Sequence, residues 1–372
     1  MNSRERVLQS INHKELDRVP VAVTLTPQIA KFLSRRLHVP CKLKSTGFSD
    51  NDNRISFNKI LTKLGNDVII VGATAPKNFV LREFSDGSFI DEWGIRYKEI
   101  SYYEEMVEHP LKDIETVRQL NQYFDEHGFP DADAKGRFDL AEEEIEKYSK
   151  DYAIIGDLET TMFETSWYLV SIDKFLADLI MKKDYVFELL NRVMEFHIEI
   201  GKKLIKLGCD IIWTGDDFGT QRGMLISPGL WRDIFKPRYR RVFKELKECN
   251  PNIKIAYHSC GSIVPIIPDL IEIGLDILNP LQPYASGMGG KNLKKMYGEK
   301  LSFFGGIDEQ KILPFGCVKE VKEEVKRVIF DLAPGGGFIL APAHNVQPDT
   351  PIENVLALYE AVKDYGKYPI VL

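Results

Sequence analysis

The chain reads as an α/β protein, a (β/α)8 TIM barrel with an inserted cap, and three observations carry that reading. Eight short apolar runs recur along its 372 residues, most of them followed by a helical pattern. The runs are apolar on both faces, as expected of strands in a parallel sheet covered by helices. No glycine-rich phosphate turn follows the first run, which disfavours a doubly wound sheet and leaves the barrel.

The elements follow in order. The opening MNSRERVLQSIN lacks the apolar core of a signal peptide and reads as a helix capped by Ser3. The strand runs are RVPVAVTL (18–25), DVIIVG (67–72), YAIIGD (152–157), CDIIWTG (209–215), IKIAYH (253–258), LDILNPL (275–281), LSFFGGI (301–307) and GFILAPA (337–343). Residues 185–207 place Val186, Leu189, Leu190, Val193 and Ile200 at helical spacing and stop at Gly208. Residues 318–332 repeat the pattern with Val318, Val321, Val325, Val328 and Leu332. The last helix opens at DTPIENV, with Thr350 as N-cap, Pro351 in the first turn and Glu353 closing a capping box. Between the second and third strands, residues 73–151 break the rhythm. They hold alternating residues around Asp86-Gly87, a hairpin signal, and read as a cap inserted into a single domain spanning 1–372.

Composition excludes several functions. At 44% hydrophobic and 28% charged, the chain can bury a large core. A net charge of -6 and a pI near 5.8 argue against nucleic acid as a partner. No stretch approaches the roughly 20 apolar residues of a membrane span. Five widely spaced cysteines, an odd number, suggest reduced thiols and a cytoplasmic protein. A homodimer is the default expectation for assembly.

A barrel puts its chemistry at the C-terminal ends of the strands. Here those ends open repeatedly into polar groups: Asp157, Glu159 and Glu164; Asp216, Asp217 and Gln221; His258 and Cys260; Asn279 and Gln282; Asp308 and Gln310; His344, Asn345 and Gln347. His258-x-Cys260 alone is a weak signal, since free cysteine is commonly a small core residue. At the end of the fifth strand, with His344 ending the eighth, the pair becomes a candidate metal site. Asp216-Asp217 either solvates a loop, caps the helix near Ser227, or turns a carboxylate toward the metal as orienting group or base. Glu164, beside Trp167 and Tyr168, is either an exposed helix carboxylate or a site acid. His197, four residues after Val193 on an apolar stripe, reads as packed. Cys317 reads as incidental, PGGGF (334–338) as a helix-to-strand turn, and KPRYRRVFK (236–244) as a solvated helix face kinked at Pro237.

Six stretches, among them FETSWYLVSIDKFLADL, GDDFGTQRGMLISPGLWRDIFKPRY, HSCGSIVPIIPDLIEIGLDILNPLQ and GGGFILAPAHNVQPDTPIENVLALYEA, resemble the uroporphyrinogen decarboxylase-like superfamily over nearly the whole chain. The resemblance implies a (β/α)8 barrel and one of two activities. The decarboxylase branch carries an Arg-Gln-Ala-Gly-Arg segment after the first strand, to clamp a polycarboxylate. VAVTLTPQIAKFLSRRLHV has none, and Arg35-Arg36 come late. The zinc- and corrinoid-dependent methyltransferase branch, of O-demethylase type, carries His-x-Cys after strand five. Its third zinc ligand, a cysteine after strand eight, is His344 in this chain. More distant cobalamin-independent methionine synthases place a glutamate ligand 22 residues after the cysteine, where this chain has Gln282.

The resemblance implies a methyltransferase that binds zinc through His258, Cys260 and His344. The methyl group would pass from a small methylated, methoxy-type substrate to the corrinoid of a partner protein. Asp217, Glu164 and Asp308 are the candidate catalytic carboxylates. Asp216, Gln221, Gln282, Trp167 and Asn345 are the candidate substrate contacts. Two alternatives stand beside it: a metal-independent decarboxylase with arginines converging in its pocket, and a non-catalytic barrel that binds a small ligand or a corrinoid protein.

Overall fold

The computed structural model describes residues 1–44, 46, 53–158 and 160–370; Glu159 lies outside the described residues. Among the described residues, eleven strands form two sheets. β1 (Val68–Gly72), β6 (Ala153–Asp157), β7 (Ile211–Gly215), β8 (Lys254–His258), β9 (Ile277–Leu281), β10 (Ser302–Ile307) and β11 (Phe338–Pro342) make a seven-stranded parallel sheet in that order. Neighbours in space are neighbours in sequence, joined by helical crossovers, which is the winding of a TIM-barrel-like fold.

The expected first strand, 18–25, is not a regular strand. It runs along β11, with parallel bridges Val21–Leu340 and Leu25–Val346, and Ala22 N donates to Leu340 O at 3.0 Å. On its other side, Asp67 N donates to Val21 O at 2.8 Å, so the segment spans from β11 to the residues leading into β1. The physical reason for the missing ladder is local. Pro20 has no N–H, and the N–H groups of Val21 and Val23 go to the side chains of Asp67 (2.9 Å) and Asn66 (3.1 Å).

Alternation along the strands separates two cores. One set, including Ile70, Ile155, Trp213, Ala256, Phe304 and Ala341, packs with Val7 of the N-terminal helix Ser3–Ser10 and with its C-cap Ile11. That helix is tied to the strand starts by Arg4–Asp210 (2.7 Å) and Arg6–Asp67 (2.6 Å). With the N-terminal end plugged, the C-terminal ends remain for a site. The opposite strand faces pack against the helices, notably Asp184–Leu207, which buries its predicted apolar stripe and ends at Gly208 with φ 110°.

Two cap assignments are corrected. The first helix is capped by Asn2, not Ser3, in a reciprocal capping box with Glu5, while Ser3 Oγ donates to Asp67 instead. The last helix, Ile352–Tyr365, starts one residue later than expected, with Pro351 as N-cap and no side-chain cap.

Between β1 and β6, β2 (Arg82–Glu83), β3 (Phe89–Ile90), β4 (Arg96–Ile100) and β5 (Tyr103–Glu108) form an antiparallel sheet. The β2–β3 turn falls at Asp86-Gly87 as expected, with Asp86 Oδ1 accepting from Ser88 N. The β4–β5 hairpin was not anticipated. Its tip reaches the ends of the large sheet, where Tyr103 OH donates to Gln347 Oε1 (2.7 Å). Helix Asp139–Tyr148, read with the insert, instead packs against β1 through buried Ala141 and Ile145, as a crossover helix does. All five cysteines are free, and no helix among the described residues is long and apolar enough to cross a membrane.

Candidate metal centre and adjoining cavity

His258 ends β8, and its imidazole is oriented from behind. Trp213 Nε1 donates to Asn279 Oδ1 at 3.1 Å, and Asn279 Nδ2 donates to Phe304 O at 3.1 Å. An indole N–H only donates, so the Asn279 oxygen faces it. The same oxygen lies 2.7 Å from His258 Nδ1, which must therefore carry the proton. Nε2 is left as a lone pair, 3.5 Å from Cys260 Sγ and 3.5 Å from Asp217 Oδ1.

The loop carrying Cys260 is held as firmly. Cys260 N donates to Asp217 Oδ1 (2.6 Å), Gly261 N to Gln282 Oε1 (2.6 Å), and Ser262 N to Thr220 O (2.8 Å). Gly261 sits at φ 75°, and a Cβ there would meet the Gly219 carbonyl carbon at 2.4 Å. The loops after β7 and β8 thus touch backbone to backbone.

Asp217, His258 and Cys260 offer ligand atoms all within 4.8 Å of one another, the one such metal-capable group among the described residues. Tetrahedral zinc, with bonds of about 2.0–2.3 Å, sets its ligand atoms roughly 3.3–3.8 Å apart, so the two 3.5 Å separations suit it. Burial pushes the Cys260 thiol up to about 11, so a metal would have to displace its proton. His344 is not part of this group. It is exposed at the rim, its ring centroid 6.3 Å from that of His258. The backbone on either side of it is pinned, by Ala343 N to Ile307 O and Val346 N to Thr24 O, both at 2.9 Å.

The other expected residues divide by what they touch. Glu164, on helix Phe163–Val170, is buried; its carboxylate accepts from Asp217 N (2.7 Å) and Tyr168 OH (3.0 Å). Burial, with Asp217 and Asp216 nearby, raises its pKa well above the usual range. Asp216 is fully buried and accepts from Glu164 N (2.9 Å), Met162 N and Tyr239 OH, so it holds the start of that helix rather than facing substrate. Asp308 is buried too, its carboxylate taken by Lys311 N and Ile312 N, both at 2.8 Å. A turn, not the mouth, uses it. Gln221 is exposed, and its carbonyl accepts from Ser286 N (3.0 Å). Gln282 positions the cysteine loop as described. Trp167 is half-buried, edge-on to Tyr168 at 4.3 Å. Asn345 is buried in the loop after β11 and accepts from Gln347 Nε2 through its carbonyl.

Some groups escaped the sequence reading. Glu309, one residue past Asp308, has a buried Oε2 without a hydrogen-bond partner among the described residues, and burial pushes its pKa up to about 8. It was as visible at the strand end as Asp308; only the direction of its side chain separates them. Trp213 sits inside an apolar run and carried no sequence signal.

A cavity of about 180 Å³ opens beside the centre, at the ends of β1 and β6. Its charged lining residues are paired: Arg54 with Asp157 (2.5 Å), and Arg137, wholly buried, with Glu92. The Arg54 guanidinium also lies 4.9 Å above the Trp213 ring. Tyr168 lines this cavity while its hydroxyl reaches Glu164. The cavity lining thus connects to the centre through Tyr168–Glu164–Asp217 and Arg54–Trp213–Asn279–His258.

Comparison with known proteins agrees with this architecture. The methylcobamide:CoM methyltransferase MtaA of Methanosarcina barkeri is 27% identical over 220 residues, 59% of this chain. The chain spans 60% of the length of that relative. A uroporphyrinogen decarboxylase of Rickettsia bellii (strain RML369-C) is 26% identical over 185 residues, 49% of this chain and 50% of the relative. The solved structure of a methyltransferase from Methanosarcina mazei shares the fold, with a TM-score of 0.70 and 22% identity over 98% of this chain and 99% of that one. The uroporphyrinogen decarboxylase (URO-D) family model matches residues 95–365, and the chain belongs to that family.

Proposed function

We propose that the chain is a zinc-dependent methyltransferase, moving a methyl group from a small methylated, methoxy-type substrate to the cobalt of a corrinoid carried by a partner protein. The observation that carries this reading is the His258 tautomer. Asn279 and Trp213 hold Nδ1 protonated and turn the Nε2 lone pair toward Cys260 and Asp217, an arrangement that serves a metal and has no use in a packed core. The similarity to a methyltransferase that acts on methylcobamide supports the corrinoid half.

The ligands would be His258, Cys260 and Asp217, with His344 across the mouth. Bound there, zinc would supply Lewis acidity to the oxygen that the methyl group leaves. The protein's own contribution is proton management. Burial raises the Glu164 pKa and favours its protonated form, and Tyr168, whose hydroxyl donates to Glu164 Oε1 at 3.0 Å, lines the cavity. That hydroxyl can protonate the departing oxygen and be replenished from Glu164 Oε1. Within residues 73–151, the small antiparallel sheet serves as the cap, placing Trp93 and Tyr97 over the cavity. The decarboxylase alternative gains no support, because the cavity arginines each have a carboxylate partner already.

The test is zinc quantification on the purified protein and on Cys260→Ser, with methyl transfer to a corrinoid protein measured for His258→Ala. About one zinc per chain, lost in Cys260→Ser, together with abolished transfer, is expected. Absence of metal from the wild type, with transfer intact in His258→Ala, would sink the mechanism.

A further inference from the structure

Arg54 stands on the cavity wall, yet its contacts lead to the metal centre. It opens the short helix Arg54–Phe57, and its side chain is almost wholly buried. A buried guanidinium needs a partner, and Asp157 at the end of β6 takes it at 2.5 Å. The same guanidinium lies over the Trp213 ring, its central carbon 4.9 Å from the ring centre. That is within the roughly 6 Å over which an indole face attracts a cation, and burial strengthens the attraction. A lysine would serve Asp157 as well. The contact with the ring is what calls for a planar cation.

Two further contacts carry that position to the metal ligand. The indole has a single donor, Nε1, and it donates to Asn279 Oδ1 at 3.1 Å. The same oxygen meets the proton-bearing Nδ1 of His258 at 2.7 Å. Asn279 is steadied by its own donation to the Phe304 carbonyl (3.1 Å), and the Phe304 ring packs against the indole with centroids 5.4 Å apart. Trp213, Asn279 and Phe304 are 4%, 3% and 2% exposed, so bulk water cannot stand in for a lost contact. A tilt of the indole therefore loosens the amide, and the amide loosens the imidazole.

We infer that Arg54 is a positioning residue for the metal centre: it pins the Trp213 indole, aligns the indole N–H with Asn279, and so fixes the direction of His258. The inference deepens the methyl-transfer reading and rests on that reading for the role of the metal. It gives one residue of the cavity wall a hold on zinc affinity.

The test is a double-mutant cycle on the full-length protein, read as zinc affinity in competition with a chromophoric chelator. Arg54→Gln keeps an N–H for Asp157 and removes the cation; it should weaken zinc binding roughly three- to tenfold. Trp213→Phe keeps a ring and removes the N–H. In that background Arg54→Gln should change the affinity by less than about twofold, because the connection is already cut. Arg54→Lys, which restores a cation without the planar fork, should fall between Arg54→Gln and the wild type. Two further readouts need no metal. The chain has four tryptophans, and the indole ¹⁵N–¹H resonance that Trp213→Phe lacks belongs to Trp213. That resonance should move in Arg54→Gln, and the ¹⁵N shifts of His258 should change from the Nδ1–H tautomer alone to a mixture. Wild-type zinc affinity in Arg54→Gln, an equal loss in the Trp213→Phe background, an unmoved indole resonance, or an unchanged His258 tautomer would each overturn the inference. A wild-type protein that binds no zinc would instead defeat the methyl-transfer reading, and the indole and His258 resonances would still decide the role of Arg54.

Discussion

Asn279 Oδ1 lies 2.7 Å from His258 Nδ1 while accepting a second hydrogen bond from Trp213, so a side chain on β9 decides which nitrogen of a β8 histidine faces the mouth. Removing the amide frees the ring to rotate and to change tautomer. Asn279→Ala should weaken zinc binding about 10–100-fold. Competition with a chromophoric chelator measures this, and an unchanged affinity would mean the amide serves only the fold.

The third ligand can be settled between Asp217 and His344. Asp217→Asn keeps an oxygen acceptor for the Cys260 N–H but removes the charge. It should release most of the zinc, whereas His344→Ala, altering a ring centred 6.3 Å from that of His258, should retain it. Metal-to-protein ratios after desalting decide, and the reverse pattern would restore His344 to the ligand set.

Adjacent acids should behave in opposite ways. Asp216→Ala leaves the N–H groups of Met162 and Glu164 and the Tyr239 hydroxyl without their acceptor, in a wholly buried position. A loss on the order of 3 kcal/mol is expected in denaturant unfolding. Asp217→Asn should cost far less stability while removing function. If Asp216→Ala were as stable as the wild type, its structural assignment would fail.

His197 also makes stability depend on pH. Its folded pKa, about 4, lies below the unfolded value of about 6.5, so the unfolded chain binds the proton first. Stability from this group is complete above about pH 6.5, falls as pH drops toward 4, and is flat below. By pH 5 the loss relative to pH 7.5 should be on the order of 2 kcal/mol. Urea titrations at the two pH values check it. His197→Phe should lose that part of the slope.

Gly261→Ala tests the loop contact. A methyl group would strike the Gly219 backbone and strain a φ of 75°. The variant should lose about 1–3 kcal/mol of stability and bind zinc at least tenfold more weakly, since Cys260 must shift. Stability and zinc affinity matching the wild type would show the loops to be adjustable.

Much of this was legible in the residues. Seven of the eight apolar runs are strands within a residue or two of their expected bounds, because parallel strands buried on both faces cannot hide their hydrophobicity. Segment 18–25 was misread because apolar content records burial, not which partner takes each N–H. His258 and Cys260 stood out by their type and their place at a strand end, and the structure sets their ligand atoms within 4.8 Å of each other and of Asp217. Asp308 and Asp216 were overrated for the same reason: an acid at a strand end is equally suited to capping a turn or a helix. His197 is packed, as its apolar stripe predicts: buried, bonded to the Val193 carbonyl and set against Trp93 and Phe196.

The sequence by itself determined the order and type of the large parallel sheet, the mouth at its C-terminal ends, and the pairing of a histidine with a cysteine there. These follow from local periodicity and from chemistry carried within a few residues. Tertiary structure alone brings the Asp217 carboxylate within 4.8 Å of that pair and sets Asn279 and Trp213 behind the His258 ring. Those outcomes depend on side-chain direction between residues 21, 41, 43 and 66 positions apart, at separations of a few ångströms that no local pattern encodes.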